Sequence, residues 1–230
     1  MTNKTPLSQR DKAVLDHIAR YGISITEILN RLFFAGSRDA LKGVLKRLTD
    51  AGFLQSRPLF AKEVCYQLTT VGCRFAGLPE EWAAPLGPQA LPMHLAVLLF
   101  CNPQNGPARP CYTREEFSKD FPEFRESFDN YFLDSDGTEA RLGYIKVDLG
   151  GDYQRLVRTC RNAVRKAIET PGLQTLVADY LFSISIVTYD VGKAEVLRRH
   201  LLEKPLAVPT TVEVVPMLGK LIPGTEPSDE

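Results

Sequence analysis

The chain has 230 residues, 44% of them hydrophobic and 24% charged, a composition that excludes a disordered polypeptide and leaves room for two compact domains with separate cores. Its longest apolar stretch, Leu95-Ala96-Val97-Leu98-Leu99-Phe100-Cys101, is too short to span a bilayer as a helix, and the polar N-terminus lacks a signal-peptide core, so a cytoplasmic protein without a membrane partner is expected. Formal neutrality hides a division: residues 1–77 hold 12 Lys+Arg against 6 Asp+Glu, residues 78–230 hold 16 against 22, as expected of a protein that meets a polyanion at one end.

Ser8 followed by Asp11 has the spacing of a capping box, and Val14, Leu15, Ile18 and Ala19 supply the buried stripe of a first helix ending near Tyr21-Gly22. Ser24 with Glu27 repeats the start signal for a second helix, with Ile28, Leu29, Leu32 and Phe33 facing inward. Ala35-Gly36 turns the chain, and Ser37 is placed to cap a third helix. In that helix Leu41, Val44, Leu45 and Leu48 form an apolar stripe while Arg38, Lys42 and Lys46 recur every fourth residue on another face. Three helices with short connections, the last cationic, outline a helix-turn-helix.

Two strands should follow, around 53–57 and 63–68, joined through Pro58-Leu59-Phe60-Ala61-Lys62. The phrase Tyr66-Gln67-Leu68-Thr69-Thr70-Val71-Gly72 then leads into a helix containing Cys73, Arg74 and Phe75. A hairpin after a cationic helix resembles a winged helix, whose recognition helix enters the DNA major groove. The residues expected at double-stranded DNA are Ser37, Arg38, Lys42, Gly43 and Lys46 at the groove, Arg47 at its flank, and Arg57 and Lys62 at the hairpin. Solvation of an exposed helix face is the alternative for the lysines, and a solubilised edge hairpin for Arg57 and Lys62.

The module is expected to span 1–78 and a proline-rich linker or strap 79–92, with Trp82 as its anchor. An α/β domain is expected over 93–230. Met93 to Cys101 fits a buried strand or a helix equally. Thr113 caps a short helix; strands at 129–133 and 142–149 pair across Asp134-Ser135-Asp136-Gly137; 152–168 is a basic helix, 173–179 a short helical turn, 181–189 a central strand, 193–202 a helix and 210–215 a last strand, the order of an α/β mixed sheet. The basic helix carries Arg155, Arg158, Arg161, Arg165 and Lys166, a phosphate-contacting row or an ion-pair surface.

The phrase Ser8-Gln9-Arg10-Asp11-Lys12-Ala13-Val14-Leu15 and the strand Tyr144-Ile145-Lys146-Val147-Asp148-Leu149-Gly150 resemble those of the replication-relaxation proteins of bacterial plasmids and integrative elements. The resemblance implies an N-terminal winged helix and a restriction-endonuclease-like C-terminal domain. Nucleases of that fold hold a metal between carboxylates, here Asp134 or Asp136 with Asp148, followed by a lysine. Lys146 stands where an acidic residue is expected and Gly150 where the lysine is, and a Lys146–Asp148 salt bridge is the simpler use of that strand.

No P-loop, Ser/His/Asp or GxGxxG signature is present, and His17, His94 and His200 are isolated. The five cysteines contain no CxxC pair and read as reduced, buried thiols. The expectation is a non-enzymatic, homodimeric DNA-binding protein with no cofactor and no metal, a transcriptional regulator of a plasmid-type or mobile element. An accessory role in plasmid replication or relaxation, with a relaxase as partner, and a metal-dependent nuclease are the alternatives.

Overall fold

In the computed structural model, which describes residues 6–124, 130–135 and 140–222, α1 (Gln9–Tyr21) begins at the expected capping box. Ser8 Oγ accepts from the Asp11 amide and the Asp11 carboxylate accepts from the Ser8 amide. The helix stops at Gly22, whose φ of 76° an L side chain rarely adopts. There His94 Nδ1 lies 2.9 Å from the Tyr21 carbonyl oxygen.

The chain then departs from the expected second cap. Ser24 lies in a short strand, β1 (Ser24–Ile25), paired with Tyr66, and its Oγ is 3.1 Å from His17 Nε2. The N-cap of α2 (Thr26–Phe33) is Ile25, which caps nothing with its side chain. After a turn in which Ala35 and Gly36 both take positive φ, α3 (Arg38–Asp50) begins at Ser37. Its hydroxyl also makes no capping bond.

β2 (Leu54–Phe60) and β3 (Glu63–Leu68) form an antiparallel hairpin, and β1 pairs on the far side of β3, giving the order β1-β3-β2. β2 runs further than expected, through Pro58, because an edge strand tolerates a residue with no N–H; the register slips between Pro58 and Phe60. Val14, Leu15, Ile18, Leu29, Leu41, Leu45, Leu48, Leu54 and Leu68 make one core beneath this sheet, joined by Cys73 of α4 (Thr70–Phe75). Each large aliphatic side chain buried this way contributes about 1.5–3 kcal/mol.

The proline-rich segment is tied down as a strap within the first of two compact units, Met1–Leu98 and Leu99–Glu230. Gln55 Nε2 donates to the Ala83 carbonyl at 2.9 Å, and Gln67 Nε2 to those of Trp82 and Ala84 at 3.0 and 2.7 Å. The Trp82 backbone is therefore what anchors the strap, while its side chain is left exposed. Residues Ala90–Cys101 are a helix, α5, which runs through the division between the units. Pro92 sits in its first turn, where the missing N–H costs nothing.

In the second unit, the Thr113–Glu116 capping box opens α6 (Arg114–Asp120). β4 (Tyr131–Ser135) and β5 (Ala140–Asp148) are antiparallel; α7 (Tyr153–Glu169) and α8 (Leu173–Ala178) lead to β6 (Phe182–Thr188), and α9 (Val191–Glu203) to β7 (Thr210–Val214). β5, β6 and β7 are parallel, so the sheet is mixed, in the order β4-β5-β6-β7. Every residue of β6 is buried, as its apolar run implies. Phe182, Ile184 and Ile186 pack with Leu156, Val157, Cys160 and Val164 of α7 and Ala194 and Leu197 of α9. Gly143 is glycine because a Cβ there would run into the buried Phe132 ring. No described helix is long and apolar enough to cross a membrane.

Candidate nucleic-acid interface

α3 separates its two faces completely. Leu41 and Leu48 are fully buried and Leu45 nearly so, whereas Arg38, Lys42, Gly43, Lys46 and Arg47 are exposed. The cations at 38, 42 and 46 form one row because fourth neighbours stack along a helix. They are not equivalent. Lys46 Nζ lies 2.7 Å from Asp50 in an exposed pair one helical turn apart, and that hydrogen bond and charge raise its pKa. Arg47 reaches back to α1, where its Nη2 meets the Asp11 carboxylate at 2.5 Å. Arg38 and Lys42 have no carboxylate partner among the described residues.

The Asp11–Arg47 bond was not legible in the sequence, since Asp11 is already accounted for locally as a capping residue. Burial by itself would raise the Asp11 pKa, but the hydrogen bonds from Ser8 and the Arg47 guanidinium outweigh it and hold the carboxyl below its usual value. Arg47 therefore clamps α3 onto α1. Its side chain is still about half exposed, at 49%, so part of the guanidinium faces solvent beside the row.

The two hairpin residues also differ. Lys62 is exposed at the tip, beside Ala61 with its φ of 45°, and has no carboxylate partner among the described residues. Arg57 lies on the sheet face that carries Gln55, donating from Nη2 to Gln55 Oε1 at 2.9 Å; its Nε is buried without a partner. The face is built from Gln55, Arg57 and Gln67, and Gln55 and Gln67 hold the strap. Ser37 is exposed at the start of α3 with its hydroxyl unused in capping, and Gly43 opens a gap in the exposed row where a Cβ would meet nothing.

In the second unit the expected carboxylates do not converge. Asp134 is opposite Arg141 in the β4–β5 register. Asp148 lies seven residues further along β5, roughly 23 Å at the rise of an extended strand, and Asp136 is outside the described residues. Nor does Asp148 pair with Lys146. Lys193 Nζ from α9 sits 2.8 and 2.7 Å from its two oxygens, Thr188 Oγ1 donates at 3.1 Å, and the Gly150 amide at 3.3 Å. Lys193 also reaches the Gly151 carbonyl at 2.9 Å. This buried ion pair joins the ends of β5 and β6 to the start of α9. Lys146 acts instead on Cys160, whose thiol burial pushes up to about 11 against the pull of that lysine.

None of the five cysteines forms a disulfide, and all are buried. Among the described residues no group of three or more His, Cys, Asp or Glu is placed to hold a metal. The three histidines have packing partners: His17 on Ser24, Tyr21 and Phe33, His94 on the α1 terminus, and His200 against Tyr153. Comparison with protein-family models, with curated proteins and with solved structures finds no match for this chain.

Proposed function

We propose that the protein binds double-stranded DNA in a sequence-specific manner, with the first unit acting as a winged helix and α3 as its recognition helix. The observation that carries this reading is the α3 surface: a helix whose apolar stripe is buried presents Arg38 and Lys42, without carboxylate partners, beside Ser37 and Gly43. A two-residue hairpin turn adds the exposed Lys62. An α-helix fits the major groove, where Arg can grip guanine in a bidentate manner, while lysines and a hairpin tip suit phosphates. Lys46 and Arg47 enter this reading as rim contacts, because each is already engaged by a carboxylate. Arg57 supports the hairpin from the strap side.

The second unit serves in this proposal as a restriction-endonuclease-like domain without catalysis, used for pairing two copies. A single winged helix reads a short site, and two-fold pairing on an inverted repeat supplies the rest of the affinity. The separation of Asp134 from Asp148 and the engagement of Asp148 by Lys193 support the non-enzymatic reading. The resemblance of residues 8–15 and 144–150 to replication-relaxation proteins favours control of transcription in a plasmid-type or mobile element. Selection from a library of randomised duplexes tests the proposal: a recurring motif with two-fold symmetry is expected, and recovery of an unenriched library would overturn specific binding.

A further inference from the structure

The arginine row of α7 is the strongest charged feature outside α3. The helix carries five Lys+Arg and one Glu, whereas the rest of residues 99–230 carries 11 Lys+Arg and 19 Asp+Glu. Arg155, Arg158, Arg161 and Arg165 are all exposed. At about 100° per residue they lie within an arc of roughly 120°, and their Cα atoms span about 15 Å of the helix axis. No carboxylate among the described residues pairs with any of the four, although the unit has carboxylates in excess. The remaining carboxylate of the helix, Glu169, lies beyond the row, and Asp152 is occupied in capping the N-terminus through the Gln154 and Arg155 amides.

On α7 itself the exposed side chains around the row are Gln154, Asn162 and Lys166, and at its C-terminal end Arg161 and Arg165 border a shallow depression lined by Val164, Ile168, Pro205, Leu206 and Ala207. A protein-binding surface has an apolar centre; here the apolar lining is confined to the C-terminal end of the row, beside Arg161 and Arg165, and the centre of the row is polar and cationic. A polar, strongly cationic strip made of arginine rather than lysine fits the phosphodiester backbone, because a guanidinium pairs with two phosphate oxygens at once. The steps along the row, about 4.5 and 6 Å of rise, are short enough for neighbouring arginines to take successive phosphates.

We infer that α7 is a second DNA-backbone contact, so that the protein holds duplex DNA through both units: α3 selects the site and α7 adds affinity without sequence preference. This rests on the DNA-binding reading of α3. Arg155, Arg158, Arg161 and Arg165 are the phosphate ligands, and the packed face of α7, with Leu156, Val157, Cys160 and Val164, fixes the row against the sheet.

The test is fluorescence polarisation of the full chain with a short labelled duplex of random sequence, titrated between about 50 and about 200 mM salt, where each phosphate contact adds roughly 0.9 to the slope of log K against log salt. Replacing the four arginines together by glutamine should lower that slope by about 3.6 and weaken binding at every sequence tested. The four-lysine variant should keep most of the slope. Circular dichroism and the melting temperature check that both variants remain folded; if the glutamine variant does not fold, single Arg→Gln variants should each lower the slope by about 0.9. An unchanged slope in folded arginine variants, with binding still lost in an Arg38→Ala/Lys42→Ala variant, overturns the role of α7 and leaves that of α3 standing. No binding by the wild-type chain to any duplex overturns both.

Discussion

His17 shows how one buried side chain can couple the first unit to pH. Its ring lies between Tyr21 and Phe33 with Nε2 against Ser24; burial, assisted by the charge of Arg20, lowers its pKa from 6.5 to about 4. The unfolded chain therefore takes up this proton more readily than the folded one between those values. The contribution is fully present above about pH 6.5 and is lost as pH falls toward 4. Between about pH 7 and about pH 5 this one group should remove about 2 kcal/mol of stability. Urea unfolding at the two pH values checks it: the loss should shrink in His17→Asn, and an equal loss in both proteins would remove His17 as the cause. At this scale the sequence was legible where the interaction is local, as at Ser8 and Asp11. It misled at Ser24, where an identical spacing to Glu27 is overridden because β3 draws the residue into a sheet and His17 takes its hydroxyl.

Among elements, those with a strong period were readable and those without one were not. α3 and α7 show apolar stripes at helical spacing with charge opposite, and both lie where that pattern puts them. α5 is apolar on every side, so no period separates it from a buried strand. The end of β5 differs in its chemistry from what local spacing offers: the sequence allows Asp148 a metal site or a salt bridge with its near neighbour Lys146, whereas its partner, Lys193, comes from a helix 45 residues away. A residue on a crossover helix is joined to a strand end by topology, which local spacing does not encode. Because the Asp148 and Lys193 side chains are only 4% and 14% exposed, Lys193→Met leaves a buried carboxylate uncompensated and should cost about 3–5 kcal/mol by chemical denaturation. The Asp148→Asn/Lys193→Met double variant should recover part of that loss. A single variant as stable as the wild type would mean that the pair does not hold α9 to the sheet.

For the molecule as a whole, the charge division counted along the sequence does not confine the cationic faces to one end: the described structure has one on α3 in the first unit and one on α7 in the second, whose sequence is otherwise acidic. The α3 face is shorter and partly balanced, since Asp50 and Asp11 engage two of its four basic residues. The α7 face is longer, and among the described residues no carboxylate pairs with its four arginines. The sequence carried the positions of these cations but not which of them are engaged, because an ion pair such as Asp11–Arg47 spans 36 positions. DNA reading by α3, as proposed, depends on Arg38 and Lys42, the two cations without a carboxylate partner among the described residues. Its most direct test is the affinity of wild-type protein and of Arg38→Ala/Lys42→Ala for the duplex recovered by selection, at one fixed salt concentration. Loss of a bidentate base contact and a phosphate contact should weaken binding by roughly 2–4 kcal/mol, with discrimination against a base-substituted duplex reduced. Equal affinity and equal discrimination in the folded variant would contradict the account.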